Sequence, residues 1–150
     1  MTMNDVEKQN AKPPLRGAKV QYPDGRTVTP PPLDVDRILA SLELLDNEAR
    51  SSFLCVLAHN LTVEIRALLF DRPVSKRDLD RAYQINESLH QLTSCVNPRH
   101  RRSSTGDAEL VRAIIDSAYL YGLEGAVGRA VATAAGNVIV SAKEHAAAIE

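Results

Sequence analysis

The stretch Phe53-Leu54-Cys55-Val56-Leu57-Ala58-His59-Asn60-Leu61-Thr62-Val63-Glu64-Ile65-Arg66 decides the fold class. Leu54, Leu57, Leu61, Ile65 and Leu68 recur at the three- and four-residue steps of one helical face. Cys55, His59, Thr62 and Arg66 recur in the same way on another side. A helix with one apolar stripe needs a neighbour to cover it. The chain supplies one from Asp78 to Val96, where Ala82, Ile85, Leu89, Leu92 and Val96 form a second stripe. The two segments are joined by a short turn around Arg72 to Lys76, which makes them antiparallel neighbours.

Working outward, each predicted helix has recognisable ends. The long helix is expected from about Glu48 to Asp71 and stops before Pro73. Ser75-Lys76-Arg77-Asp78 resembles a capping box with Asp in the Glu position, and Val74 and Leu79 stand where a hydrophobic staple would. Upstream, Asp34 is a fitting N-cap for a helix carrying Val35, Ile38, Leu39, Leu42 and Leu45, broken at Asp46-Asn47. Downstream, Asn97-Pro98 ends the second hairpin helix. After a polar loop, Ser104 and Asp107 offer a cap for a helix to about Tyr121, with Leu110, Ile114, Ala118 and Tyr121 in line and Gly122 as the stop. A last helix is expected from Leu123 to Ala147. Its Gly128, Ala132 and Gly136 lie four apart and would let another backbone approach closely.

The expected fold is therefore all-α: a bundle of four to five helices over residues 33–147 around a central antiparallel hairpin. Residues 1–32 read as an extended or disordered Pro-rich arm, with Pro13-Pro14 and Pro30-Pro31-Pro32 and little that could form a core. One local exception is Val20 to Val28, where Pro23-Asp24-Gly25 is turn chemistry between short strand-like flanks.

Composition sets the outer limits. A chain of 150 residues suits one domain. A formal charge of −1 argues against a general nucleic-acid coat or a polybasic membrane binder. The two cysteines are far apart and do not form a disulfide framework. The polar N-terminus does not resemble a signal peptide, and no later segment reads as a membrane span. The expectation is a cytoplasmic protein with no cofactor and no nucleic-acid or membrane partner, associating as a homodimer.

The candidate functional residues are polar and sit on the hairpin. Across the short turn, partners sum to about 148, so His59 stands level with His90, and Arg66 within a turn of Asn86 and Glu87. Phase complicates this, because His59 and Arg66 point away from the Leu54–Leu68 stripe. They converge only if the hairpin uses its second face or if two hairpins meet in a dimer. Four readings compete. Cys55 with His59, together with Glu87-x-x-His90 and Cys95, has the spacing of helical metal ligands. Phe53-Leu54 with Ala58-His59-Asn60-Leu61 resembles the phosphoacceptor helix of histidine kinases, though Asn60 replaces the usual acidic residue. Arg99, Arg101 and Arg102 are candidate anion contacts before a helix start. The fourth reading, a structural polar network or a partner-facing surface, needs no chemistry and is the preferred one.

Leu57-Ala58-His59-Asn60-Leu61-Thr62, with Arg66 and then Asn86-Glu87-x-x-His90, also resembles a group of small uncharacterised proteobacterial helical proteins. They share a His-x-Leu-Thr, a later Arg and an Asn-Glu-x-x-His. The resemblance implies that His59, Thr62, Arg66, Asn86, Glu87 and His90 belong together, and it implies a bacterial, cytoplasmic setting. It brings no activity. No nucleotide loop, Ser-His-Asp arrangement or paired catalytic carboxylates stand out. The reading is a small non-enzymatic regulatory or adaptor protein, with a metal-binding or phosphotransfer bundle using His59 and His90 as the alternative.

Overall fold

Most of the helices begin where local side chains can satisfy their free backbone donors, the last one, after Leu123, having no side-chain cap. The computed structural model describes residues 14–17, 19–29, 31–70, 73–93 and 103–139, with only the backbone of Val20. Cys95, Val96, Arg99, Arg101, Arg102, the first ten residues and the expected helix beyond 139 lie outside them. A small hairpin pairs β1 (Val20–Gln21) with β2 (Thr27–Val28). Five α-helices follow: α1 Val35–Leu44, α2 Asn47–Leu69, α3 Lys76–Thr93, α4 Ser104–Leu120 and α5 Glu124–Ala134. A π-helical turn, Ala135–Ile139, continues α5.

Asp34 caps α1 by accepting from the Arg37 N–H, and Asp46 caps α2 by accepting from Ala49. The expected capping box closes at α3. Asp78 N–H donates to Ser75 Oγ at 3.1 Å, and Ser75 N–H donates to Asp78 Oδ2 at 3.4 Å. The helix α4 differs from the sequence reading. Its cap is Ser103, whose hydroxyl accepts from Gly106 at 2.9 Å. Asp107 is turned inward instead.

The bundle forms around α2. Its Phe53, Leu54, Leu57 and Leu61 are buried against α3 on one flank and α5 on another. Ala82, Ile85 and Leu92 complete the α3 side, with Leu89 half-buried. The buried stripe of α4 is Ala108, Val111, Ile114, Ile115 and Ala118, so it is rotated from the expected one and leaves Tyr121 exposed. One helix, Asn47–Leu69, has the length and mean hydropathy, 1.4, that would let it cross a membrane, which corrects the expectation that none does. Here its apolar stripe is the centre of the core, and it carries His59, Asn60, Glu64 and Arg66.

Three long-range charge pairs join the helices among the described residues: an exposed Arg112–Asp36 pair at 2.8 Å between α4 and α1, and two that are more enclosed. Arg50 at the start of α2 is buried. Its Nε donates to Asp107 at 3.0 Å, Nη1 to the Leu45 carbonyl at 2.5 Å, and Nη2 to Asn47 at 3.4 Å. The α1–α2 corner is thereby clamped to the first turn of α4. A buried pair of this kind adds little net stability, but losing one partner strands a charge in the core. On the other flank, Arg129 of α5 grips Glu64 of α2 with two bonds of 2.8 and 2.7 Å, and these bonds raise the Arg129 pKa.

The N-terminal segment is not a free arm over its whole length. Leu15 is only 2% exposed and belongs to the core. The Leu33 N–H donates to the Leu15 carbonyl at 2.7 Å, Arg16 bridges to Pro32, and the Leu15 backbone hydrogen-bonds the Tyr119 phenol. Gly128 explains how the segment fits, since a Cβ there would lie 2.3 Å from the Arg16 carbonyl oxygen. The small-residue face of α5 therefore receives the N-terminal strap at Gly128, whereas Gly136 has open space around it. The β-hairpin beyond the strap forms as expected and is exposed, with Arg26 5.0 Å over the Tyr22 ring.

Candidate functional site

The solvent face of the α2–α3 hairpin holds nearly all the polar residues that the sequence singles out. Helix α2 carries His59, Val63, Arg66 and Phe70 at successive steps of four, three and four, Phe70 being its C-cap residue. Helix α3 carries Leu79, Tyr83, Asn86 and His90 at the same steps. All eight are exposed. Such spacing keeps a stripe straight along a helix and is the spacing of a helix-packing seam. Counted across the short connection, the two stripes correspond in register: Phe70 with Leu79, Arg66 with Tyr83, Val63 with Asn86 and His59 with His90, each pair summing to 149.

The apolar members are large. Phe70 is 63% exposed, Tyr83 60% and Leu79 55%. They concentrate toward the turn end of the hairpin, where Val74 is exposed as well. Leu44 and Leu120 are more exposed still, but neither belongs to a repeating stripe, and single exposed apolar residues are ordinary.

The sequence-predicted polar set is not a buried network. His59, Arg66, Asn86, Glu87 and His90 are exposed, and among the described residues no hydrogen bond or ion pair joins their side chains. Arg66 and Glu87, placed within a turn of each other by the sequence, do not pair among the described residues. Thr62 is half-buried and donates its hydroxyl to the Ala58 carbonyl one turn back at 3.1 Å. The physical reason is phase. The face of α2 opposite the core looks at solvent, so its cations and imidazoles are hydrated rather than bonded to α3. Cys55 is a free, exposed thiol that extends the α2 stripe by one more turn. Among the described residues, no three His, Cys, Asp or Glu side chains gather where they could hold a metal ion.

Sequence reasoning missed Arg50–Asp107 and a cationic cleft beside α3. Arg50 offered no signal, because an Arg near a helix start reads as surface. The cleft is signalled only by Lys76, Arg77 and Arg81 at helical spacing. The chain matches no protein-family model, no curated protein and no solved structure.

Proposed function

We propose that the chain is a small non-enzymatic helical protein of regulatory or adaptor type that works by contact, and that it forms a homodimer through the exposed α2–α3 face. The observation that carries this reading is the pair of matched stripes. Each carries apolar residues among polar ones at packing-seam spacing, alternating along α2 and gathered at the turn end of α3, and each is solvent-exposed along its length. Exposed apolar groups repeated in this way mark interaction surfaces. The occupant is a second copy because the face is complementary to itself. It bears Arg66 on one helix and Glu87 on the other, and neither has a hydrogen-bond or ion-pair partner among the described residues. A two-fold axis brings one copy's cation to the other's carboxylate and buries Phe70, Leu79 and Tyr83. The arrangement is a four-helix contact made of two hairpins. The proposed setting is cytoplasmic, with Asn47–Leu69 as a core helix rather than a span.

Sedimentation velocity at low micromolar concentration tests this. A dimer is expected for the native chain, and Val63→Glu or Phe70→Asp should give a monomer with unchanged helical circular dichroism. A native monomer, or a dimer indifferent to both changes, overturns the interface. A second reading, metal binding or phosphotransfer, draws on the exposed His59 and His90 at equal height. Elemental analysis of the purified protein and phosphohistidine detection after treatment with a small acyl phosphate are its tests, with His59→Gln as the control.

A further inference from the structure

On the flank of α3 turned toward the α4–α5 corner lies a cleft of about 570 Å³. Lys76, Arg77 and Arg81 line it, with Asp80 as the one carboxylate and Tyr83 and Tyr121 as aromatic walls. These residues sum to a charge of +2 within a chain whose total is −1, so positive potential is concentrated here. None of the three cations forms an ion pair among the described residues.

Arg81 is the informative member. Its Nη2 donates to the Gly122 carbonyl at 2.8 Å, which ties the guanidinium to the turn where α4 ends. Gly122 holds φ +68, so the carbonyl is presented by a backbone shape that favours glycine. A carbonyl orients a guanidinium without neutralising it. The Arg81 Nε is buried and, among the described residues, has no acceptor. A buried donor without an acceptor is costly, more so on a charged group. The fixed fork geometry of guanidinium matches the oxygens of a phosphate. Tyr83 and Tyr121 are both about half exposed, and they add flat apolar surface beside the charge. The volume falls within the roughly 300–1,000 Å³ usual for small-molecule sites.

We propose that this cleft binds a small phosphate monoester bearing a planar ring, of mononucleotide size. The phosphate lies against Arg81 with Lys76 and Arg77, and the ring lies on the tyrosine walls. Arg77 and Arg81 stand on a different flank of α3 from Leu79 and Asn86, whereas Tyr83 is shared with the proposed self-association face, so the ring rests chiefly on Tyr121 and the phosphate contacts do not depend on self-association.

Calorimetric titration of the full chain with adenosine monophosphate, inorganic phosphate and adenosine separates the parts. The monophosphate should bind most tightly. Arg81→Gln should weaken it by about tenfold or more, and the exposed Lys76→Gln, which leaves packing untouched, by about threefold or more. Tyr121→Ala should weaken the monophosphate and leave inorganic phosphate unchanged. No binding of the monophosphate, or equal binding to the native chain and to both cation variants, overturns the site. Adenosine binding as tightly as its phosphate overturns the role of the cations, and inorganic phosphate binding as tightly as the monophosphate overturns the role of the ring.

Discussion

Gly128→Ala gives a test whose sign reports whether the N-terminal strap is docked. Gly128 lies inside α5, where alanine is favoured over glycine by about 1 kcal/mol through backbone entropy alone. If residues near Leu15 were free of the bundle, the change would stabilise the protein by that amount. In the docked structure the new Cβ would sit 2.3 Å from the Arg16 carbonyl oxygen and 3.0 Å from the Arg16 nitrogen. Both atoms are backbone, so the strap must move away rather than a side chain rotate. Retreat exposes Leu15, whose burial contributes about 1.5–3 kcal/mol, and weakens its backbone bonds to Leu33 and Tyr119, each worth about 1 kcal/mol. Loss exceeds gain, and the expected net change is a destabilisation of about 1–3 kcal/mol. Urea unfolding followed by circular dichroism measures it. Leu15→Ala should also destabilise, and adding it to Gly128→Ala should cost less than the sum, because the first change has already displaced the side chain. A Gly128→Ala protein more stable than the native one refutes the docking. It would restore the reading of residues 1–32 as an extended or disordered arm with little that could form a core.

Two further outcomes follow from the structure. Asp107→Ala should cost about 3–5 kcal/mol in urea unfolding, because it leaves the buried Arg50 guanidinium without its carboxylate; a loss below about 1 kcal/mol would show that the pair is hydrated. Burial, and then the nearby Glu124 carboxylate, raise the Tyr119 pKa in the folded state. The unfolded chain therefore gives up this proton first. The contribution is intact below the unfolded value of about 10 and is lost as pH rises through the folded value. Stability should fall more steeply above about pH 10 in the native protein than in Tyr119→Phe, and parallel curves would remove Tyr119 from the alkaline limb.

Local chemistry made much of the fold legible in the sequence. Asp34, the Ser75–Asp78 box and Gly122 act on backbone groups within four residues, so they mark helix ends whatever the rest of the chain does. The apolar stripes of α2 and α3, with a short connection between them, fix an antiparallel hairpin for the same reason. The candidate residues were legible as a set, but not their surroundings. Whether His59 and Arg66 meet Glu87 or meet water depends on the rotation of α2 about its axis, and that is set by what packs on Leu54, Leu57 and Leu61. Asp107 could equally cap α4 or turn inward. The choice belongs to Arg50, 57 residues away, and to the crossing of α2 with α4 that brings the two within 3.0 Å. Leu15 lies in a proline-rich stretch too polar to form a core of its own. It is buried only because α5 offers a glycine where the strap crosses and the assembled helices leave a hole of its size. Short-range chemistry is enough to place the elements and mark their apolar faces. Which faces meet each other and which are left to solvent follows from contacts between residues far apart in the chain, which no local pattern encodes.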